Sequence, residues 1–378
     1  MKIAFLAAAN SIHSVRWIKY FSDKGHRIIW VSLAPPTTEA TELIKKVDFY
    51  EIKPSPLNDI NGKWAFIYFP WAILKFMEIL QKTKPDVLHV HSAGTYGLVG
   101  AFSFFKPMVL TPWGSDILLT SPIKKFLIQL TVFFASSYTC DGENTFDKLV
   151  ELGAEPEKIK IIRFGTDIEK FRPAKSKEQR TNSKGRISKS KSVKIISLRN
   201  LIPVYDIETL IKAAAIVIKE SANWRTKTEF IIAGDGEQKA HLEKLAKDLK
   251  LKNENVKFVG NVKNNDLPLV FNSSHIYVST SLSDSGLSAS TAEAMASELP
   301  VVVTNSGDNK KWVDDNKGGF VIPCGDYQAL AEKLIYLLKN PAKRKSFGKH
   351  NRKIIEEKNN YYVEMGKMEI LYQSLCQK

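Results

Sequence analysis

The chain has 378 residues, of which 44% are hydrophobic, 25% charged and 10% aromatic, a mix that excludes a disordered, collagen-like or disulfide-built protein. That length suits two domains, each able to bury its own core. Three cysteines without a CxxC pair (Cys140, Cys324, Cys376) point to a reducing compartment and to no structural zinc. The formal charge of +15 raises three partners, namely nucleic acid, an anionic membrane surface or a phosphorylated substrate, so its position along the chain matters.

After Lys2 the apolar run Ile3–Ala9 is too short for a signal peptide, and a polar stretch, Asn10–His13, follows at once. A first strand ending in a tight loop is expected there. A helix over Ser14–Lys24, a stop at Gly25-His26 and the apolar run Ile28–Leu33 complete a βαβ unit. Val87–His91, Met108–Thr111 and Ser137–Asp141 read as further short strands. Their apolar runs are continuous rather than alternating, which indicates a parallel sheet covered on both faces.

Between these strands, Trp64–Lys82 packs six aromatic residues into 19. With Phe102–Lys106 and Ile123–Leu127 it reads in one of two ways, as an interior aromatic helix or as side chains at a membrane interface. No segment reads as a transmembrane helix. Val87–Phe105 is uncharged but interrupted by His, Gly, Ser and Thr, and Phe126–Cys140 is too short for about 30 Å of hydrocarbon. His89 and His91 share a strand face, but no Cys or third His accompanies them and Asp86 faces the other way, so no metal site is expected.

The stretch Ala174–Lys194 has eight basic residues and one acidic, almost no apolar residue, and reads as a linker. A second set of strands follows at Lys194–Leu198, Glu229–Ala233, Asn255–Val259, His275–Ser279, Pro300–Thr304 and Gly319–Ile322. Helical patterns lie between them at Ile207–Ile218, Gln238–Leu249, Leu267–Asn272, Ala289–Ala296 and Tyr327–Leu338. Lys339–Lys353 then has seven basic residues and no acidic one, and Pro341 and Gly348 suggest a charged helix-turn-helix. The two basic segments hold +14 of the +15, so the rest of the chain is close to neutral. They are read as solvated surface or as attraction to an anionic leaflet, worth about 1 kcal/mol per cation. Nucleic acid is not a partner on this reading, because no aromatic interleaving beyond Phe347 and no nucleic-acid-reading motif accompanies the charge. The expected fold is α/β, with two doubly wound domains, 1–173 and 194–360, joined by 174–193, and ligands at the carboxyl ends of the strands.

The stretch Ser283–Val301 (SDSGLSASTAEAMASELPV) carries the chemistry. A loop after a strand reaches Gly286, then small and hydroxyl residues, then a helix. Amides at that helix N-terminus, near Leu287 and Ser288, suit a phosphate, and Gly286 lets the backbone approach it. Glu293, one to two turns in and flanked by Ala292 and Ala294, suits a diol such as a ribose.

This string resembles the C-terminal signature of the GT-B fold glycosyltransferases of family 4. Phe230–Glu237 resembles that family's strand and GDG loop, Val256–Val262 its base-binding segment, and Asp167–Pro173 its link between domains. Lys2–Val31, Asp86–Leu98 and Thr111–Asp116 resemble its first domain. The resemblance implies two Rossmann-like domains facing across a cleft, with helix 361–378 packing back on the first. It implies transfer of a hexose-type sugar, with retention and without metal or cofactor, from a UDP- or GDP-linked donor. Glu293 is implied to hold the ribose, Arg199 to neutralise the diphosphate, and Gly286, Leu287 and Ser288 to meet the sugar and diphosphate. Val262, Gly234 and Asp235 fall on the nucleotide side, Asn10 and Arg16 in the N-terminal loop near the diphosphate. His13, His91 and Trp113 fall on the acceptor or sugar side, with Asp116 among the catalytic groups.

Three positions depart from the family pattern. Eight residues before Glu293 stands Ser285 rather than Glu, so either Asp284 replaces it with a one-residue shift or Ser285 makes a neutral sugar contact. Val204 and Tyr205 stand where a second cation is expected. Trp113 stands where many relatives have histidine. The resulting expectation is a cytoplasmic, peripherally membrane-associated hexosyltransferase of surface polysaccharide or lipopolysaccharide synthesis, acting on a glycan or lipid-linked acceptor. A nucleotide-sugar epimerase and a catalytically silent nucleotide-sugar-binding subunit are the alternatives.

Overall fold

The computed structural model describes residues 1–53, 65–118, 121–174, 192–224, 227–284 and 286–377. The chain divides into two compact units: Met1–Phe164 with Val363–Lys378, and Gly165–Tyr362.

The first unit holds β1 (Lys2–Leu6), β2 (Arg27–Ser32), β3 (Asp48–Glu51), β4 (Val87–His91), β5 (Met108–Thr111), β6 (Ser137–Cys140) and β7 (Ile159–Ile161). They form one sheet in the order β3-β2-β1-β4-β5-β6-β7, and every pairing is parallel. Ile3–Leu6, Val87, Leu88 and Val90 are fully buried, which is why these strands read as unbroken apolar runs. The second unit holds β8 (Ser192–Leu198), β9 (Lys227–Ala233), β10 (Val256–Gly260), β11 (Ile276–Ser279), β12 (Val301–Thr304) and β13 (Gly319–Ile322). Its sheet runs β10-β9-β8-β11-β12-β13 and is again parallel. In both sheets the order reverses beside the first strand, which places the switch point at the carboxyl ends of β1 and β4, and of β8 and β11.

Local chemistry sets several helix starts. Asp206 takes a left-handed φ of 44°, and its side chain accepts from the Thr209 amide to open helix Ile207–Glu220. Asp326, at an ordinary negative φ, likewise caps Tyr327–Lys339 by accepting from the Ala329 amide at 2.8 Å. Pro341 occupies the first turn of Pro341–Lys358, where its missing N–H costs nothing.

The C-terminal helix Tyr361–Cys376 packs from Val363 onward with the first unit. Met365, Met368 and Tyr372 on it are fully buried. The Glu364 carboxylate accepts from the Arg163 amide at 2.9 Å, and Glu369 pairs with His26 at 2.9 Å.

Three details differ from the sequence reading. The first unit ends at Phe164, not 173, because Gly165–Ala174 packs on the second unit. Phe171 sits in that unit's core, and Arg352 donates to the Ile168, Phe171 and Ala296 carbonyls. The stretch 175–191 of the expected linker lies outside the described residues, and Ser192 and Val193 already belong to β8. Gly348 is no turn. It lies inside helix Pro341–Lys358, where a Cβ would come within 2.0 Å of the Glu298 carbonyl oxygen, and the break between the two helices falls at Asn340 instead. Of the two readings of the aromatic segment, the described part of helix Ala65–Thr83 fits the interior one, with Ala72, Phe76 and Leu80 buried and Tyr68, Phe69 and Trp71 packed against the same core. Trp64 lies outside the described residues.

Candidate functional site

In the second unit, the loops after β8, β9 and β11 converge on Arg199. Its amide donates to the Ala233 carbonyl at 3.0 Å, and the Leu201 amide donates to Asp235 O at 2.9 Å. The loop after β8 is thereby pinned along the Gly234-Asp235-Gly236 loop. Both glycines are required there. At Gly234 (φ 145°) a Cβ would stand 2.0 Å from the Arg199 carbonyl oxygen, and at Gly236 (φ 159°) 2.4 Å from that of Leu201.

The Arg199 side chain is buried and held on three sides. Nε and Nη2 each lie 3.1 Å from Ser279 Oγ, and Nη2 lies 2.7 Å from Asp284 Oδ2. The guanidinium rests 4.9 Å from the Tyr205 ring centroid. Burial opposes the Arg199 charge, but Tyr277 and Asp284 hold its pKa above the ordinary arginine value. Burial likewise pushes the Asp284 carboxyl up, with Arg199 pulling against it. Nη1 makes no hydrogen bond among the described residues.

The helix Ala289–Ala296 begins beside this pair. Ser288 is its N-cap, but the Ser288 hydroxyl bonds Thr291 Oγ1 at 2.7 Å and caps no amide. Leu287 is buried in the apolar cluster that underlies the helix. Gly286 takes φ 59°. Gly307 (φ 54°) lies against it so closely that a Cβ would meet the Asp284 and Gly286 carbonyl oxygens at 2.7 and 2.9 Å. Glu293 lies half-buried in the second turn. A guanidinium edge, glycine loops and a helix N-terminus not capped by its own serine make a receptor for a phosphate group.

In the first unit, the ends of β1, β4 and β5 gather an aromatic cluster. His13, on helix Ile12–Asp23, lies 5.4 Å from Trp113 and 5.1 Å from Phe164, and those two rings stack at 4.9 Å. His91 meets Trp113 edge-on at 5.0 Å. Its Nδ1 bonds Ser14 Oγ at 3.2 Å, whereas its buried Nε2 has no hydrogen-bond partner among the described residues. Burial drives the His91 pKa down to about 3, with His13 adding to it, and burial with nearby Arg16 drives His13 down to about 4. Both rings are therefore neutral at pH 7.

His89 serves a different purpose. Its two nitrogens bond Tyr372 Oη and Thr111 Oγ1, and Thr111 bonds Thr139. Asp116 accepts from the Ala93 amide at 2.7 Å and the Trp113 amide at 2.9 Å, tying the loops after β4 and β5 together.

Two family models match in chain order. One, described as glycosyl transferase 4-like, matches residues 2–140, and the other, described as glycosyl transferases group 1, matches 178–354. The chain is a GT-B glycosyltransferase of the family 4 type. Three relatives are similar over most of their length. The capsular polysaccharide biosynthesis glycosyltransferase CapM of Staphylococcus aureus is 23% identical, covering 81% of each chain. The UDP-Gal:alpha-D-GlcNAc-diphosphoundecaprenol alpha-1,3-galactosyltransferase of Escherichia coli is 28% identical, covering 70% of this chain and 69% of that protein. The N-acetyl-alpha-D-glucosaminyl L-malate synthase of Bacillus anthracis is 22% identical, covering 94% and 91%. Among solved structures, Anabaena Alr3699/HepE in complex with UDP and glucose superposes with a TM-score of 0.81 at 19% identity, covering 99% of this chain and 100% of that one. A Rickettsia africae glycosyltransferase superposes with a TM-score of 0.78 at 18% identity, covering 99% and 98%. By their names, the S. aureus relative serves capsular polysaccharide biosynthesis and the E. coli one acts on a diphosphoundecaprenol-linked sugar.

Within the glycosyltransferase, the structure brings Arg199, Asp284, Gly234, Asp235, Gly286, Leu287 and Ser288 to one end of the second sheet. Val262 follows β10 and is partly buried against the apolar cluster beneath the signature helix. Ser285 lies outside the described residues. Asn10 is exposed at the turn after β1, and Arg16 is half-buried on the next helix. Asp284 is the partner of Arg199, a role the motif spacing did not suggest. Tyr205, noted in the sequence only as a missing cation, is the ring on which Arg199 lies. Ser279, Gly307 and Phe164 were not singled out. The glycine in the loop after Val301–Thr304 was the one available signal, and the serine and phenylalanine carried none.

Proposed function

We propose that the enzyme is a retaining, metal-independent hexosyltransferase that moves a sugar from a UDP- or GDP-linked donor to a glycan acceptor carried on a lipid, in surface polysaccharide or lipopolysaccharide synthesis. The observation that carries it is the buried Arg199, with its Nη1 edge unbonded among the described residues, beside glycine loops and a helix start that its own serine does not cap. Departure of a nucleoside diphosphate needs its growing charge stabilised, and a guanidinium with oriented amides supplies that without a strong nucleophile. Glu293 is assigned the ribose, Val262 the base, and His13, His91 and Trp113 the acceptor or sugar side. A metal has no role in this reading, in which Arg199 supplies the positive charge and both nitrogens of the buried His89 are already engaged. The names of the relatives support the donor and acceptor class, since the E. coli protein uses UDP-Gal and a diphosphoundecaprenol-linked sugar. On this reading the protein works at the cytoplasmic side of a membrane.

The test is a panel of UDP- and GDP-sugars with a lipid-linked acceptor, scored by acceptor-dependent release of nucleoside diphosphate and by the anomeric configuration of the product. Arg199→Ala is expected to lower transfer by about 10²–10³. Inverted product, transfer that needs a divalent cation, or full activity in the Arg199 variant overturns the proposal.

A further inference from the structure

The helix Pro122–Phe134 carries apolar side chains on two faces. Ile128, Thr131 and Val132 turn inward and are buried. Ile123, Phe126 and Phe133 turn outward and are 77%, 61% and 78% exposed. Their spacing of three and seven puts them in one stripe along the helix, about 15 Å long. At its C-terminal end the stripe runs into the turn after helix Thr95–Ala101. Phe133 packs on Phe134 at 5.3 Å, and Phe134 on Phe104 at 5.4 Å. Phe104 is 62% exposed and has a φ of 55°. A bulky side chain avoids that left-handed backbone, which glycine or asparagine adopts more readily. An aromatic ring is thus held in water at a position where folding favours something smaller.

The segment that carries the stripe is basic. From Ala101 to Ser136 the chain carries Lys106, Lys124 and Lys125 against a single acid, Asp116, whose oxygens are turned to the Ala93 and Trp113 amides. Lys125 pairs with Glu151 at 2.7 Å. Lys106 and Lys124 are exposed and form no ion pair among the described residues.

We infer that this face is the docking surface for an anionic lipid bilayer, with Phe104, Ile123, Phe126 and Phe133 entering the boundary beneath the headgroups and Lys106 and Lys124 meeting lipid phosphates. An apolar stripe edged by unpaired lysines matches a surface that is apolar inside and negative at its rim. Attachment is in the plane of the membrane, since no helix of the described residues is long and apolar enough to cross one. The inference rests on the lipid-linked reading for its purpose, but its test needs neither donor nor acceptor.

The full-length enzyme is floated with vesicles of phosphatidylcholine alone and of phosphatidylcholine mixed with phosphatidylglycerol, at low and high salt. Binding is expected on the anionic vesicles and weaker at high salt. The double variant Phe126→Asp/Phe133→Asp should lose about tenfold or more in partition with an unchanged thermal transition. Lys106→Glu/Lys124→Glu should lose the preference for phosphatidylglycerol. A charge reversal on the second unit, Lys345→Glu/Lys349→Glu, should bind as wild type. Wild-type protein left free of vesicles at low salt overturns the inference, as does equal binding by the Phe126/Phe133 variant. A wild-type dimer that this variant converts to monomer, without vesicle binding, assigns the face to a second copy and equally overturns it. Transfer to a water-soluble acceptor separates the two readings. If transfer fails while vesicle binding holds, the enzymatic proposal falls and the docking surface stands.

Discussion

The Asp284 carboxylate lies 2.7 Å from the Arg199 guanidinium, although 85 positions separate the two in the chain. Without substrate, the one buried cation of this cluster is already matched by an anion. On the proposed function, a diphosphate arriving there would compete with Asp284 for the same guanidinium. Asp284→Asn is therefore expected to destabilise the free enzyme by about 3 kcal/mol, because Arg199 loses its buried partner. It is also expected to tighten nucleoside diphosphate binding. Thermal melts with and without UDP and GDP read both effects. A variant that binds both nucleotides more weakly than wild type would mean that Asp284 aims Arg199 rather than competing for it.

Gly234→Ala tests the backbone rather than the charge. Its Cβ would stand 2.0 Å from the Arg199 carbonyl oxygen, with φ at 145°. The loop must shift, and Arg199 shifts with it. Stability should fall by about 2–4 kcal/mol and donor affinity should fall with it. Asp235→Ala, which adds no bulk, should leave stability within about 0.5 kcal/mol by the same melt. A wild-type melting curve for Gly234→Ala would refute the close approach.

Acid should loosen the first unit in a defined window. His91 titrates at about 3 and His13 at about 4 in the folded protein, both below the ordinary 6.5. The unfolded chain takes up protons near 6.5 and the folded chain refuses them until far lower. Stability is thus complete above about pH 6.5 and declines as the pH falls towards 4, by up to about 1.4 kcal/mol per pH unit for His91. Denaturant melts of wild type and His91→Gln across pH 4–7 check the sign. The variant's profile should be flatter, and parallel profiles would remove His91 from the explanation.

Tyr372→Phe removes the hydroxyl that bonds His89 and leaves a buried ring nitrogen without its partner. The expected cost is about 1–3 kcal/mol. Amide exchange should rise along residues 363–376 before it rises in β8 or β11. Uniform loss of protection across both units would contradict that order.

Much of this architecture was legible because buried parallel strands leave a plain signature. Val87–His91 and Gly319–Ile322 appear in the structure at the bounds their apolar runs suggested. The strands that escaped notice are the outermost of the first sheet. Asp48–Glu51 is only half-buried throughout and Ile159–Ile161 has a lysine at its centre, so neither carries an unbroken apolar run. Gly348 misled for another reason. Glycine marks a turn when the backbone needs it, but here it admits a neighbouring carbonyl, and a single sequence does not tell close approach from chain reversal. The site divides the same way. Arg199 and the Gly286–Ser288 loop follow from motif order, whereas the partnership of Arg199 with Asp284, Ser279 and Tyr205 exists only once β8 and β11 lie side by side.

The bond between Tyr372 and His89 links positions 283 apart, and the unit it closes is interrupted by the whole of Gly165–Tyr362. During synthesis the second unit has all of its chain before the first unit does. The N-terminal sheet must wait, with the His89–Thr111–Thr139 row of polar groups lacking its cover, until the last helix leaves the ribosome. Completion of the first unit thus waits on residues 363–378, whereas every residue of the second has been made once the chain reaches Tyr362.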